Sequence, residues 1–132
     1  MSNDVASRVR QYYDDRTTAF VSRGQGGHLG AIHRAVWGPG AFDRDQAFRY
    51  IENRIIGHLR NIDPPVELPH VVDLGCGIGT SLCHVAQHIP IRGTGITLSP
   101  VQVQIAKRYI HDKKMLDRIV CLEGDYCNLP TT

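Results

Sequence analysis

The sequence predicts an α/β fold in which a parallel sheet is flanked by helices and preceded by an N-terminal helical segment. Short apolar runs alternate with helical patterns from Val71 onward. A glycine-rich turn, "GCGIG", joins the first of these runs to a helix. Short links between strands and helices favour parallel strands joined by right-handed crossovers. These observations predict the first half of a doubly wound sheet.

Composition and charge exclude several broad classes of function. The chain has 132 residues, of which 42% are hydrophobic and 21% charged, and its formal net charge is +2. This charge is too small to predict a nucleic acid or a membrane surface as partner. No apolar stretch approaches the roughly 18 residues of a spanning helix, and the N-terminus lacks the features of a secretion signal. We therefore expect a cytoplasmic protein whose four cysteines stay reduced.

Residues 1–66 are expected to form a helical lid or cap segment. Asp4 can cap a helix over residues 4–20. One face of that helix is predicted to carry Val5, Val9, Tyr12 and Tyr13. The glycine-rich stretch that follows predicts a loop with a short helical piece at Ala31–Val36.

A second helix is predicted to begin after Asp43, which can cap it. The "DPP" sequence at residues 63–65 should end this helix, because proline cannot donate to the helical ladder. Its buried face is predicted from helical spacing to be Phe48, Ile51, Ile55 and Leu59.

Residues 67–132 predict three strands and two helices in alternation. The first strand spans Val71–Leu74, and a helix follows from about Thr80 to Ile89. The second strand, "RGTGIT", ends at residue 97, and a serine and a proline at 99 and 100 predict a helix start. The buried face of this helix is predicted as Val101, Ile105, Ala106 and Tyr109. The third strand, "RIVCLEGD", ends near Asp125.

Three kinds of ligand compete for the glycine turn. A phosphate-binding P-loop needs a lysine, and none lies near residues 75–79. A dinucleotide site, as in a nicotinamide-dependent reductase, needs a third glycine where Thr80 stands and an acid where Thr97 stands. S-Adenosylmethionine has no phosphate, and its zwitterionic end can be met by bare backbone with an acid such as Asp73 near the ammonium group.

Three motifs resemble those of one family. "VVDLGCGIGTSL" is similar to the first motif of class I S-adenosylmethionine-dependent methyltransferases, and "LEGDYCNLP" is similar to the motif that closes their third strand. "GTGITLSPVQVQIAK" resembles a subset that includes small-molecule C-methyltransferases and cyclopropane fatty acid synthases. The resemblance covers about residues 68–130. It implies a Rossmann-like fold of seven strands, of which residues 67–132 supply the first three.

The resemblance also implies S-adenosylmethionine as cofactor and a set of residues that hold it. The first-motif residues Asp73, Gly75, Cys76 and Gly77 would hold the methionine part. Thr97 and Gln102 would serve the ribose, as in the cyclopropane-synthase-like subset, where most of the family has an acid. Asp125 would accept from the adenine amino group, and the backbone N–H of Tyr126 would meet a ring nitrogen. Aromatic residues assigned to a lid over the cofactor are Tyr12, Tyr13 and Trp37.

Each assignment has a structural alternative. Gln102 could complete a capping box by reaching back to the Ser99 backbone N–H. Thr97 could be a β-branched strand end, and Asp125 could form a turn before "NLP". The tyrosines could pack a helix, and Trp37 could anchor a loop. Two loop histidines, His28 and His33, could act as bases but are expected to be solvated.

A metal site is not expected. Cys83, His84 and His88 lie close together, and the two histidines have i,i+4 spacing. The glutamate of the metalloprotease motif and any Cys-x-x-Cys pair are missing.

The resemblance predicts a methyltransferase, or its N-terminal part, that acts on a small-molecule acceptor. The resemblance implies that the fourth-strand motif, much of the substrate pocket and often the catalytic base lie beyond residue 132, and the catalytic residues stay unknown. The alternative is a non-catalytic module that binds cofactor or a partner. The apolar first strand, "HVVDL", would lie at an exposed sheet edge, so self-association through that edge is expected.

Overall fold

A computed structural model of the chain describes residues 3–23, 27–31 and 33–129. The order of helices and strands is the predicted one. The elements are α1 (Asn3–Arg23), α2 (Arg44–Arg60), β1 (His70–Leu74), α3 (Thr80–His88), β2 (Arg92–Thr97), α4 (Pro100–Asp112) and β3 (Ile119–Glu123). Single turns of 3-10 helix lie at Gly27–Leu29 and Tyr126–Asn128.

The three strands form one parallel sheet in the order β1-β2-β3. The register places Asp73 opposite Gly95, and Gly95 opposite Cys121. All three strands therefore end at the same edge of the sheet, where ligands bind in α/β folds of this kind. The predicted parallel α/β fold is confirmed.

The core lies between one face of the sheet and helices α3 and α4. Two glycines of β2 leave room for side chains of β3, α3 and the glycine turn that pack on them. A Cβ on Gly93 would lie 2.7 Å from Ile119 Cδ1, and one on Gly95 would lie 2.6 Å from Cys76 Sγ. Side chains at the centre of this core include Leu82, Cys83, Ile91, Ala106 and Ile110.

The opposite face of the sheet is not covered by any described residue. Val72 and Leu74 of β1 are 51% and 52% exposed to solvent, and Val120 and Leu122 of β3 are exposed to a similar degree. β1 is also an edge strand, as predicted. A second layer on this face is needed to complete a doubly wound domain.

Helix α1 forms as predicted, but it packs through a different face. Val5, Tyr12 and Tyr13 are exposed, so the predicted apolar face is wrong. The fully buried residue is Thr17, and α1 packs against α4. Polar contacts with α4 decide which face of this helix is buried, and the spacing of apolar residues did not predict that face.

Helix α2 begins after Asp43, whose side chain accepts from Gln46 N at 2.8 Å, so the predicted cap is confirmed. Phe48 is buried as predicted, but Ile51 and Ile55 are exposed. Glu52 and Ile56 are buried instead. The buried stripe therefore follows the i,i+4 series from Phe48.

The predicted helical piece at Ala31–Val36 is wrong for residues 33–36, which have no regular structure, while residue 32 lies outside the described residues. The single helical turn of this region lies earlier, at Gly27–Leu29. Within the described ranges, no helix is long and apolar enough to cross a membrane.

Candidate functional site

The glycine turn after β1 is held against the end of β2. The backbone N–H groups of Gly75 and Cys76 both donate to the Ile96 carbonyl, at 2.8 and 3.0 Å. Gly75, Gly77 and Gly79 have φ angles of 86°, 57° and 77°. These left-handed conformations favour glycine and explain the alternating pattern of the motif.

Two glycines of the turn serve different purposes. A Cβ on Gly79 would lie 2.9 Å from Cys121 Sγ, so this glycine allows close packing inside the core. A Cβ on Gly75 would meet no atom within 4 Å. Gly75 therefore presents bare backbone to open space at the edge of the sheet, where a ligand can approach.

The side chain of Cys76 lies inside the core, away from this open space. Its Sγ is 3.8 Å from Cys121 Sγ and 3.6 Å from the Gly77 carbonyl oxygen. The neighbouring Cys121 thiol and burial hold the pKa of Cys76 well above its usual value. Its side chain packs the turn onto the sheet, and only its backbone lies on the turn itself.

Asp73 lies at the end of β1, half-buried beside the turn. Burial and the nearby Glu52 carboxylate raise the pKa of Asp73, against a smaller opposing effect of His33. No hydrogen bond or ion pair to Asp73 is seen among residues 3–23, 27–31 and 33–129. A desolvated acid without a donor fits an acid that meets a ligand cation.

Thr97 and Gln102 are brought together, as their predicted shared role requires. Thr97 Oγ1 donates to Gln102 Oε1 at 2.6 Å, and Gln102 Nε2 donates to Thr17 Oγ1 of α1 at 3.1 Å. All three side chains are buried. Helix α1 therefore covers the two residues assigned to the ribose, and their ribose role stays a prediction.

Ser99 caps α4, since its Oγ accepts from Gln102 N at 3.1 Å. The second hydrogen bond of the capping box, from the Ser99 backbone N–H to the Gln102 side chain, is not formed, so that alternative is wrong. The Ser99 backbone N–H donates to Thr97 Oγ1 at 3.4 Å, and the Gln102 side chain is engaged elsewhere. The Ser99 hydroxyl also donates to Asp14 of α1, which ties α1 to the same corner.

Asp125 and Tyr126 follow β3 at the same edge of the sheet. The Asp125 carboxylate accepts from Cys127 N at 2.9 Å and caps a single 3-10 turn, as expected of a turn former. Tyr126 is partly exposed on that turn. Their adenine roles stay predictions.

A buried polar cluster that the sequence analysis missed surrounds Glu52. Its Oε1 accepts from Ser81 Oγ at 3.0 Å and from Arg49 Nη1 at 3.2 Å, and it lies 3.4 Å from His33 Nε2. His33 is therefore an ion-pair partner and not simply a solvated loop residue. The spacing of Phe48, Glu52 and Ile56 was a usable signal, because it places an acid in the buried stripe of α2.

The other candidate residues lie on the surface. Trp37 is 64% exposed, and Tyr12 and Tyr13 pack edge to face on the exposed side of α1, so their lid role stays a prediction. His28 pairs with Asp45 at the surface, as expected of a solvated histidine. In the described part of the chain, no three His, Cys, Asp or Glu residues gather in a metal-binding group.

Comparison with known proteins places this geometry in a family. Residues 71–132 match the model of a family described as a methyltransferase domain. Norajmaline N-methyltransferase from Rauvolfia serpentina is 31% identical over 121 residues, a match that covers 90% of this chain and 34% of the relative. The crystal structure of the [4+2]-cyclase SpnF has a TM-score of 0.72 at 27% identity, over 96% of this chain and 45% of that one.

A structure of geranyl diphosphate methyltransferase in complex with GPP and sinefungin shares the fold. Its TM-score is 0.71 at 19% identity, over 95% of this chain and 50% of that one. The chain thus spans about half of the structures and 34% of the curated relative that it matches.

A three-stranded parallel sheet with a glycine turn at the edge where its strands end is part of a Rossmann-like fold. The match over residues 71–132 and the shared fold support a class I S-adenosylmethionine-dependent methyltransferase, and the chain matches the N-terminal part of that fold. The residues at the edge of the sheet fit the cofactor of this family. Gly75 presents backbone to open space that a Cβ would enter, and Asp73 offers an acid without a partner among the described residues.

Proposed function

We propose that the protein provides the cofactor site of a methyltransferase that acts on a small-molecule acceptor. One observation carries this proposal. The turn at Gly75 presents backbone to open space directly after Asp73, at the edge where all three strands end. The family match supports S-adenosylmethionine as the molecule that this edge holds.

Each part of the edge has a proposed partner on the cofactor. Asp73, with the backbone of residues 75–77, would hold the zwitterionic methionine end. Thr97 and Gln102 would hold the ribose, and α1 would enclose them, since Thr17 already contacts Gln102. The adenine would lie against Asp125 and Tyr126.

When bound, the cofactor would supply an electrophilic methyl group on its sulfonium sulfur, and the acceptor would displace S-adenosylhomocysteine as the leaving group. The residues of this chain bind and orient. Asp73 fixes the ammonium group of the methionine part, and the glycine turn fixes the carboxylate group of the same part. Helix α1 keeps water from the ribose side, because its Thr17 is buried and the helix packs against α4.

Calorimetric titration with S-adenosylhomocysteine, the demethylated cofactor, tests the proposal. Gly75→Ala should weaken binding by about tenfold or more, which corresponds to about 1.4 kcal/mol, because its methyl group would enter the space through which the cofactor approaches the backbone. Gly40→Ala is the matched control. Gly40 also has a positive φ, +89° against +86° for Gly75, and a Cβ there would meet no atom within 4 Å. Equal weakening by both variants, or no binding by the folded chain, contradicts the proposal.

A second candidate is a role without methyl transfer. The SpnF neighbour is described as a [4+2]-cyclase, so similarity to this fold does not by itself fix the reaction. An assay of labelled methyl transfer from S-adenosylmethionine to a panel of amine, hydroxyl and carbon acceptors distinguishes a methyltransferase from a protein without transfer activity. Cofactor binding without transfer would favour the cyclase-like or non-catalytic role. The nicotinamide alternative finds no support in the family match.

We also infer from composition that the protein is cytoplasmic and binds no nucleic acid. The boundary between a helical lid or cap at residues 1–66 and the cofactor-binding part at 67–132 is likewise our proposal. Contacts between α1 and α4 support it, since they place the first segment over the second.

A further inference from the structure

Two histidines of α3 lie side by side, one helical turn apart. The ring centroids of His84 and His88 are separated by 4.6 Å. Two imidazole rings that ligate one ion through nitrogen at about 2.0–2.1 Å have centroids about 4.5–5 Å apart at octahedral or tetrahedral angles. The two rings therefore have the spacing of a pair of ligands on one metal ion.

Helix α2 supplies a third group that the sequence around the histidines lacks. Asn53 Oδ1 lies 3.3 Å from His84 Nε2. A nitrogen and an oxygen that both lie about 2.1 Å from one ion are separated by about 3.0–3.4 Å at the same angles. The amide oxygen and the imidazole nitrogen thus have the separation of neighbouring ligands. Local spacing could not predict this group, because Asn53 is 31 residues before His84.

His88 has one ring nitrogen in a hydrogen bond and one that is free to ligate. Its Nδ1–H donates to the His84 carbonyl oxygen at 2.8 Å, which leaves the lone pair on Nε2. Histidines that bind metals commonly donate their other ring N–H to a carbonyl or carboxylate, because this bond fixes the ring. His88 is exposed, so an ion in solution has access to the ring.

The charges around the histidine pair permit a cation. Arg49 and Glu52 of α2 both act on His84, but they form an ion pair with each other at 3.2 Å, so their charges partly cancel. His88 is the last residue of α3. The negative end of the helix dipole lies there and favours a cation.

We propose that His84, His88 and Asn53 bind one divalent transition-metal ion of the kind that imidazole prefers, Zn²⁺, Ni²⁺ or Cu²⁺. Each histidine supplies Nε2, Asn53 supplies Oδ1, and water completes the coordination. In the metal-free chain the His84 Nε2–H donates to Asn53 Oδ1. When the ion binds, this ring carries its proton on Nδ1 instead, so the imidazole stays neutral.

This inference goes beyond the proposed function, because the site lies away from the edge that is proposed to hold the cofactor. Helix α3 starts at Thr80, directly after the glycine turn. At the rise of an α-helix, His84 and His88 lie about 6 and 12 Å along its axis from that residue. The ion would join α2 to α3 and needs neither cofactor nor acceptor.

Calorimetric titration of the untagged 132-residue chain with nickel chloride at pH 7.5 tests the proposal. We expect Ni²⁺ to bind at least about a hundredfold more tightly than Mg²⁺, which prefers oxygen ligands. His88→Gln should weaken Ni²⁺ binding by about tenfold or more, because one of the two imidazoles is lost. His111→Gln is the control, since this exposed histidine of α4 has no histidine four residues away.

Asn53→Asp distinguishes a ligand from a residue that only accepts a hydrogen bond. Aspartate accepts the same bond from His84 but ligates through a charged oxygen, so Ni²⁺ should bind about tenfold more tightly. Gln104→Glu adds the same charge at an exposed position of α4 and should leave the affinity unchanged. Bound Ni²⁺ should also raise the urea midpoint of the parent chain but not that of His88→Gln, because the ion links two helices.

Equal affinity for Ni²⁺ and Mg²⁺, or equal Ni²⁺ affinity of the parent chain and His88→Gln, overturns the proposal. Failure of Asn53→Asp to strengthen binding overturns the three-ligand site. S-Adenosylhomocysteine added to the same samples should leave the Ni²⁺ affinity unchanged. A loss of Ni²⁺ binding in its presence would place the ion at the cofactor edge and would also overturn the site.

Discussion

Gln102 shows how one side chain joins three parts of the chain. It accepts from Thr97 at the end of β2, donates to Thr17 on α1, and its backbone N–H is capped by Ser99. Because the side chain is 2% exposed, each of these polar groups depends on its protein partners and not on water. The position of α1 over the predicted ribose site is therefore coupled to the residues predicted to bind the ribose.

Thr17→Val tests this coupling. Valine keeps the shape of threonine but removes the hydroxyl that accepts from Gln102 Nε2 and donates to the Tyr13 carbonyl. We expect the free energy of unfolding, measured by urea denaturation, to fall by about 1–3 kcal/mol, because a buried donor loses its acceptor. Thr18→Val, at the exposed neighbouring position, should change it little. Equal effects at both positions would show that the buried network adds nothing to stability.

Helix α2 and the segment before it are joined through charged groups. The Arg49 guanidinium donates to the Leu29 carbonyl, and His33 faces Glu52. Thr80 of α3 donates to the Gly30 carbonyl at 3.3 Å. This segment follows a glycine-rich sequence and has little regular structure, so side-chain contacts hold it against the sheet layer.

The His33–Glu52 pair makes this attachment depend on pH. The hydrogen bond to Glu52 raises the pKa of His33 above 6.5, so its contribution to stability is full below pH 6.5 and is lost as pH rises through the raised value. Burial alone would raise the pKa of Glu52, but the hydrogen bonds from His33 and Ser81 outweigh it and lower this pKa from 4.5 to about 2. The contribution of Glu52 is thus present above pH 4.5 and is lost toward pH 2.

We therefore expect His33→Gln to lower the urea midpoint more at pH 5.5 than at pH 8.5. Arg49 and Asp73 also face the pair. His111→Gln, at an exposed histidine beside Asp112, serves as the control and should show a much smaller difference. A His33→Gln effect that is the same at both pH values would contradict the role of the pair.

At the scale of the whole molecule, the described residues form a sheet that is packed on one face only. β1 is an edge strand, and the outer face carries half-exposed Val72, Leu74, Val120 and Leu122. An apolar edge strand with free backbone groups favours pairing with another chain. The self-association expected from the sequence thus has a defined surface, and it stays a prediction.

Val72→Lys should reduce that association. A lysine in the middle of β1 places a charge on the apolar face without removing a backbone hydrogen bond. Sedimentation velocity across a range of concentrations should show dimers or larger species for the parent chain and a shift toward monomer for the variant. Val66→Lys, in the exposed loop before β1, is the control. A monomeric parent chain at all concentrations would contradict this prediction.

The sequence by itself determined the order of strands and helices, the parallel sheet, the caps at Asp43 and Ser99, and the methyltransferase motifs. These features depend on local spacing, on capping and turn chemistry, and on motifs that are short and contiguous in sequence. Only the tertiary structure decided which faces of α1 and α2 are buried, that Thr17 lies over Gln102, and that Glu52 meets His33 and Ser81. Such contacts join residues far apart in the chain through polar groups, and their energy depends on a mutual burial that local patterns do not contain.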